Sequence, residues 1–257
     1  MKRHENQVAI VTGASGGIGR ATAISLAHEG FKLALGARSV EKLVELAQEV
    51  EAISGLAPLT LALDVRDEAQ VQAFVAATVE KYGRLDVLVN NAGLAKGVTP
   101  LIEEADSANW QQMIDTNVMG VLLMTRAAVP HMIDGGNGHV INIGSIAGRE
   151  AYAGGAVYCA TKFAVRAITD ALRQELLGQP VRVTTVDPGM VETNFSMVRL
   201  GDQGKADAVY AGMTPLTAED IADCVSFAAT RPAHVNIDAI IVKPLDQAGA
   251  GKVARRT

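Results

Sequence analysis

Apolar and polar positions along the chain follow two different periods. Short, nearly continuous apolar runs stand at 7–13 (QVAIVTG), 32–37 (KLALGA), 58–65 (PLTLALDV), 85–93 (LDVLVNNAG), 139–145 (HVINIGS), 181–189 (VRVTTVDPG) and 238–244 (DAIIVKP). Runs of that length without polar alternation predict strands buried on both faces. Between them, stretches such as 40–53 (VEKLVELAQEVEAI) and 68–82 (EAQVQAFVAATVEKY) return to an apolar residue every three or four positions, which predicts helices with one face on a core.

Strands and helices therefore alternate. The expected fold is α/β: a Rossmann-type doubly wound parallel sheet of about seven strands, with right-handed crossovers and helices on both faces. No repeat or low-complexity tract interrupts the pattern, so residues 1–257 are expected to form a single catalytic domain. The least regular stretch, about 190–216, is punctuated by glycines and follows the sixth expected strand. Ligands of open α/β sheets bind beyond the carboxyl ends of the strands, so this stretch is expected to be a mobile lid over the substrate cleft.

Composition narrows the classes. With 257 residues, 49% of them hydrophobic and 20% charged, the chain can bury one large core. A formal net charge of −5 does not suit a nucleic-acid surface, which needs clustered Lys and Arg to release counterions. Cys159 and Cys224 form neither a CxxC pair nor a Cys/His cluster, and the five histidines lack ligand spacing, so no metal is expected and a reducing compartment fits. No apolar run reaches the roughly 18 residues of a membrane span, and the amino-terminal apolar run leads into a glycine loop rather than a cleavage site. A cytoplasmic protein is expected.

The first strand runs into TGASGGIG at 12–19 and then into a helix. In that setting Gly13 makes a tight turn, Gly17 lets backbone approach a pyrophosphate, and Gly19 lets the helix pack on the strand; the helix N-terminus adds free N–H groups. The expected dinucleotide segment is Gly13, Ser15, Gly17, Ile18 and Gly19. At the end of the second strand an acidic residue would select NAD, but the chain reads ALGARS, and Arg38 with Ser39 suits the 2′-phosphate of NADP(H). Further on, Tyr158 and Lys162 are four residues apart and share one helical face. An ammonium there is expected to lower the phenol's pKa from about 10 toward neutrality, fitting Tyr158 to exchange a proton with a substrate oxygen.

Together TGASGGIG, NNAG at 90–93, Tyr158-x-x-x-Lys162 and PGMVET at 188–193 resemble the short-chain dehydrogenase/reductase family over essentially the whole chain. The resemblance implies a catalytic tetrad of Asn117, Ser145, Tyr158 and Lys162. Ser145 would hold the reacting oxygen, Asn117 would support a water relay to the lysine, and Lys162 would also bind the nicotinamide ribose. It further implies that Asp64 and Val65 bracket the adenine, that Asn91, Ala92 and Gly93 line the cofactor, and that Pro188, Gly189 and Thr193 embrace the carboxamide. The family is usually tetrameric, and the apolar helices around 107–130 and 156–177 are candidate subunit faces.

Within the family, MIDTNVMG, HVINIGSIAG, YAGGAVYCATK, FSMVRLGDQGKA and PAHVNID are similar to the NADP-dependent 3-hydroxy acid dehydrogenases that oxidise serine and allo-threonine. Such substrates carry a carboxylate, so Arg149 and Arg199 are candidate anchors and Tyr152 a candidate pocket wall. Trp110 is expected to pack rather than to recognise. Reductases of sulfonated aldehydes, 3-oxoacyl groups or other small carbonyls share these motifs, and a non-catalytic NADP(H) sensor is the reading from another class.

Overall fold

The computed structural model describes residues 4–97 and 102–256. Seven strands appear where apolar runs were expected: β1 (Val8–Thr12), β2 (Lys32–Ala37), β3 (Leu59–Ala62), β4 (Val87–Asn90), β5 (Gly138–Ile143), β6 (Val181–Pro188) and β7 (Ala239–Val242). They form one sheet in the order β3-β2-β1-β4-β5-β6-β7, every neighbouring pair parallel. The order reverses between β1 and β4, and a crevice opens there at the carboxyl ends.

Helices α1 (Gly17–Glu29), α2 (Val40–Ser54), α3 (Glu68–Tyr82), α4 (Ser107–Ile114), α5 (Gly120–Asp134), α6 (Ala156–Glu175), α7 (Phe195–Leu200), α8 (Gln203–Tyr210) and α9 (Ala218–Ala229) fill the connections. The three-to-four spacing is visible in what they bury: Leu43, Leu46 and Val50 from α2, and Val71, Phe74 and Val75 from α3. One core lies between the sheet and α1, α2 and α9, the other between the sheet and α3, α5 and the end of α6. Rigid packing on both faces fixes the strand ends from which the site is built.

Two expectations need correction. The edge strands are not buried on both faces: β3 is half-buried to exposed, and β7 alternates. Each has a strand on one side only. The stretch 190–216 is also not merely irregular, since α7 and α8 occupy most of it, α7 ending at Gly201 in the left-handed conformation and α8 starting from an Asp202 cap on Lys205 N–H.

Candidate active site

The β1–α1 loop folds as its glycines require. Gly13 sits at φ +63°, and a Cβ on Gly19 would lie 2.4 Å from both Gly13 O and Asn91 Nδ2. Only hydrogen fits there. Gly17, at φ +52°, faces Thr193 across the cleft, its Cβ position 3.5 Å from the threonine. No side chain caps the N-terminus of α1, leaving its first N–H groups for an anion. Ser15 is half-buried beside them, while Ile18 turns into the core.

The segment after β4 braces this loop. Asn91 Nδ2 donates to Thr12 O at 2.9 Å and Gly13 O at 3.2 Å, and Thr12 Oγ1 accepts from the N–H groups of Asn91 and Ala92, both at 3.0 Å. The Asn91 amide is thus committed to holding the glycine loop, and Thr12 is a structural partner that a reading of the glycines alone does not reveal.

At the β2 end Arg38 and Ser39 are exposed, and the Ser39 side chain caps nothing. Asp64, expected beside the adenine, has its carboxylate forked on Arg66, with Nε–Oδ1 at 2.9 Å and Nη2–Oδ2 at 2.5 Å. That bond holds its pKa below the usual carboxylate range. Val65 is buried, and a Cβ on Gly120 would come within 2.6 Å of it. Its side chain therefore faces α5, leaving only its backbone toward the cleft.

The tetrad residues converge. Asn117 lies in a π-helical turn, Asp115–Met119, between α4 and α5, a local widening common at functional sites. Its amide is 1% exposed, accepts from Leu94 N–H at 2.8 Å, and donates to Leu94 O at 2.8 Å and Thr161 Oγ1 at 3.1 Å. Asn117 Oδ1 and Lys162 Nζ both approach Gly93, where a Cβ would sit 3.4 Å from the one and 3.8 Å from the other.

Ser145 follows β5, and its Oγ accepts from Ala147 N–H at 3.1 Å. On α6, Lys162 is 8% exposed and donates to Ile143 O at 2.8 Å. Burial pushes its pKa down to about 8, with the Asp187 carboxylate pulling the other way. For Tyr158 the expectation fails. Burial drives its phenol above the ordinary value of 10, opposed by the Ser145 hydroxyl, and Lys162, whose Nζ is 5.9 Å from the ring centroid, does not offset it. The helical spacing does put the two on one face, but in the protein alone desolvation outweighs the distant charge.

Of the two candidate anchors, Arg149 is committed: its Nε donates to Asp187 Oδ2 at 2.6 Å, and the acid's side chain is 3% exposed. That is a correction to the sequence expectation, since a buried carboxylate already neutralises the charge. Arg199, on α7, places its guanidinium carbon 5.4 Å from the Tyr152 ring centroid, and its buried Nε has no hydrogen-bond partner. Phe195, from the same helix, meets the Tyr158 ring at 5.8 Å. A pocket that Tyr158 helps to line is also bordered by Lys96, Trp110, Met113 and Val157. Trp110, half-buried, forms part of that lining.

At the end of β6, Pro188 is buried, and Gly189 lets Gln247 approach, its Cβ position lying 2.2 Å from Gln247 Oε1. Thr193 stands opposite the glycine loop. Asp187 and Gln247 had no motif to announce them, and Phe195 was quoted within one without a role; strand register and the turn of α7 bring them in.

A doubly wound sheet with a glycine cradle at its switch point and a serine, tyrosine and lysine beyond adjacent strand ends defines a dinucleotide-dependent oxidoreductase. The profile of the short chain dehydrogenase family matches residues 7–203, and the chain belongs to that family. It is 44% identical over 259 residues to an NADP-dependent 3-hydroxy acid dehydrogenase of Schizosaccharomyces pombe, covering 100% of this chain and 99% of that one. It is also 44% identical to sulfoacetaldehyde reductase 2 of Chromohalobacter salexigens, covering 95% of this chain and 96% of the other. Among solved structures, the closed form of a serine dehydrogenase complexed with NADP+ superposes with a TM-score of 0.90 at 42% identity, covering 98% of this chain and all of that one.

Proposed function

We propose that the protein moves hydride between NADP(H) and a small 3-hydroxy acid or its carbonyl partner, with Tyr158 exchanging the proton at the substrate oxygen. The observation that carries this reading is the placing of one committed and one uncommitted cation: Arg149 is neutralised by Asp187, whereas Arg199 lies against Tyr152 on the same helix whose Phe195 touches Tyr158. A carboxylate held by Arg199 would bring its 3-hydroxyl toward Tyr158 and Ser145.

The residues fit the cofactor. Gly13, Gly17 and Gly19 with the open α1 N-terminus would take the pyrophosphate, Arg38 and Ser39 the 2′-phosphate, and Lys162 the nicotinamide ribose, near Gly93, Pro188, Gly189 and Thr193. When bound, the nicotinamide supplies or accepts the hydride. Ser145 orients the reacting oxygen. Tyr158, kept neutral by burial, is ready to donate its proton to a carbonyl under reduction, and Lys162 keeps a buried positive charge beneath the site.

A sulfonate would suit the Arg199 fork as well as a carboxylate does, which with the similarity to a sulfoacetaldehyde reductase favours small sulfonated aldehydes as the second reading. A panel of hydroxy acids, sulfonated aldehydes and neutral carbonyls with both NADP(H) and NAD(H) tests the assignment. Turnover of 3-hydroxy acids with NADP, reduced in Tyr158→Phe by about 10²- to 10⁴-fold with NADPH affinity kept, is the expected result. Tight cofactor binding without turnover of anything on the panel would instead indicate a sensor.

A homotetramer belongs to the same proposal. Exposed Met119, Leu122 and Phe163 mark one flank, and exposed Phe227, Ile241 and Leu245 another. Two separate self-pairing faces generate a closed tetramer of dihedral symmetry, which light scattering on the eluting protein would measure. Two free thiols, one buried, are consistent with a cytoplasmic location.

A further inference from the structure

The cavity that Tyr158 helps to line has a volume of about 110 Å³ and carries one charge. Lys96 brings that charge from the segment after β4, while Trp110 and Met113 come from α4, and Val157 and Tyr158 from the first turn of α6. No other lining residue is charged, and most are alanine, glycine or larger apolar side chains. The remaining cations near the site are already engaged, Lys162 with Ile143 O and Arg149 with Asp187. Lys96 and Arg199 are left.

The backbone that carries Lys96 is held before and after it. Two residues earlier, Leu94 N–H donates to Asn117 Oδ1 and Leu94 O accepts from Asn117 Nδ2, each at 2.8 Å. One residue later Gly97 turns at φ +61°, and a Cβ there would stand 2.9 Å from Asn109 Nδ2 on α4. Between these points the half-buried Lys96 ammonium donates to Gln112 Oε1, also on α4, at 3.0 Å. An amide oxygen orients an ammonium without neutralising it, and among the described residues no carboxylate pairs with Lys96. A fixed cation with donors to spare, beside apolar surface, attracts an anion more strongly than it would in bulk water.

We propose that Lys96 forms a second anion subsite, which receives the end of the substrate remote from the carboxylate held by Arg199, so that the preferred substrates are 3-hydroxy diacids: 3-hydroxy acids with another anionic group beyond the carbinol carbon. The proposal rests on the reading of Arg199 as the first anchor and narrows the substrate class of that same site. Tyr158 borders both anchors, since it lines the Lys96 cavity and its ring meets Phe195 on the helix that carries Arg199. A chain held at its two charged ends would present its middle hydroxyl to that phenol.

The test is a ratio, measured on the full chain saturated with NADP. In the parent, kcat/KM for 3-hydroxyglutarate should exceed that for 3-hydroxybutyrate by about tenfold or more, the scale of one charge-assisted hydrogen bond, and in Lys96→Met the ratio should fall toward one. Lys96→Gln, which keeps a polar side chain without the charge, should lose the advantage as well, and it decides the matter if Lys96→Met does not fold. A parent ratio near one, or a variant that weakens both acids equally, overturns the proposal. Binding reads the subsite without turnover: succinate, glutarate and adipate are compared with butanoate, pentanoate and hexanoate by the rise each gives in melting temperature. At least one diacid should bind about tenfold tighter than the monoacid of its length in the parent and lose that advantage in Lys96→Met; if none does, the subsite is refuted. Arg199→Met separates the two readings, since it should weaken monoacids and diacids alike. If it weakens neither, the first anchor is misassigned, while the diacid-to-monoacid ratio in Lys96→Met still decides for or against the second.

Discussion

Lys162 and Asp187 both approach the peptide link between Ile143 and Gly144. The ammonium donates to Ile143 O at 2.8 Å, while Asp187 Oδ1 lies 1.9 Å from where a Cβ on the next residue, Gly144, would stand. Thr185 Oγ1 at 2.7 Å and Arg149 at 2.6 Å hold that carboxylate in place. Its negative charge keeps the buried lysine protonated to higher pH than burial alone would permit.

Replacing the acid by its amide should therefore move the pH profile. In Asp187→Asn the lysine loses its supporting charge, its pKa falls further below about 8, and the alkaline limb of kcat/KM moves to lower pH. Each unit of displacement removes about tenfold of the protonated form on the alkaline side. Steady-state rates from pH 6 to 10 measure this, and an unmoved alkaline limb would sever Asp187 from the lysine.

The same burial has a cost in stability with an unusual sign. Lys162 falls from 10.5 in the unfolded chain to about 8 in the folded one, so between those values the unfolded state binds more protons and stability rises with pH. The protonated lysine then costs the fold about 3 kcal/mol at neutral pH, less what its bond to Ile143 O returns. Lys162→Met should stabilise the protein by about 1–3 kcal/mol at pH 7 while removing turnover, and its advantage should shrink as pH rises from 8 toward 10.5. Denaturant melts at pH 7 and pH 10 give the comparison; a destabilised variant at pH 7 would mean that the hydrogen bond outweighs desolvation.

The two arginines should separate by the kind of damage they cause. Arg149→Met leaves the buried Asp187 carboxylate unpaired and should cost about 1–3 kcal/mol of stability, discounted from the fully buried case because the arginine is partly exposed. Arg199→Met removes a cation with no carboxylate partner among the described residues and should leave the melting temperature nearly unchanged while raising KM for hydroxy acids about tenfold or more. Thermal melts and substrate kinetics on both variants read the difference, and a raised KM confined to Arg149→Met would reverse the assignment.

Strand positions, the helices 40–54 and 68–82, the glycine loop and the shared face of Tyr158 and Lys162 were legible because each rests on local spacing, two periods, one turn type and one helical repeat, whereas Asn117 and Ser145 came only from the family resemblance. What stayed hidden depends on contacts between distant segments. Neither the π turn that turns Asn117 toward Leu94 nor the Arg149–Asp187 pair has a sequence signature, since the pair joins residues 38 positions apart. The direction of the Tyr158 shift was misread because sequence shows that a cation is one turn away but not how much water the fold removes. Likewise, exposure of β3 and β7 follows from their place at the sheet edges, which only the topology decides.

The proposed reader of the cofactor's 2′-position is Arg38. It is exposed just beyond β2, with Ser39 beside it at an α2 N-terminus that has no side-chain cap, and the acid nearest in function, Asp64, is already forked on Arg66. The residue directly after β2 is a cation rather than a carboxylate, so a 2′-phosphate there meets a charge-assisted partner. Arg38→Asp should invert both terms, removing a charge-assisted contact and adding a repulsion, and should lower the ratio of kcat/KM for NADPH over NADH by about 10²-fold, or roughly 2.7 kcal/mol. The effect should fall almost wholly on the NADPH KM, because Arg38 follows β2 whereas Tyr158 stands on α6, three strands away beyond β5. Kinetics with both reduced cofactors at a fixed low ionic strength give the ratio, and a ratio unchanged from the parent would mean that another group reads the 2′-position.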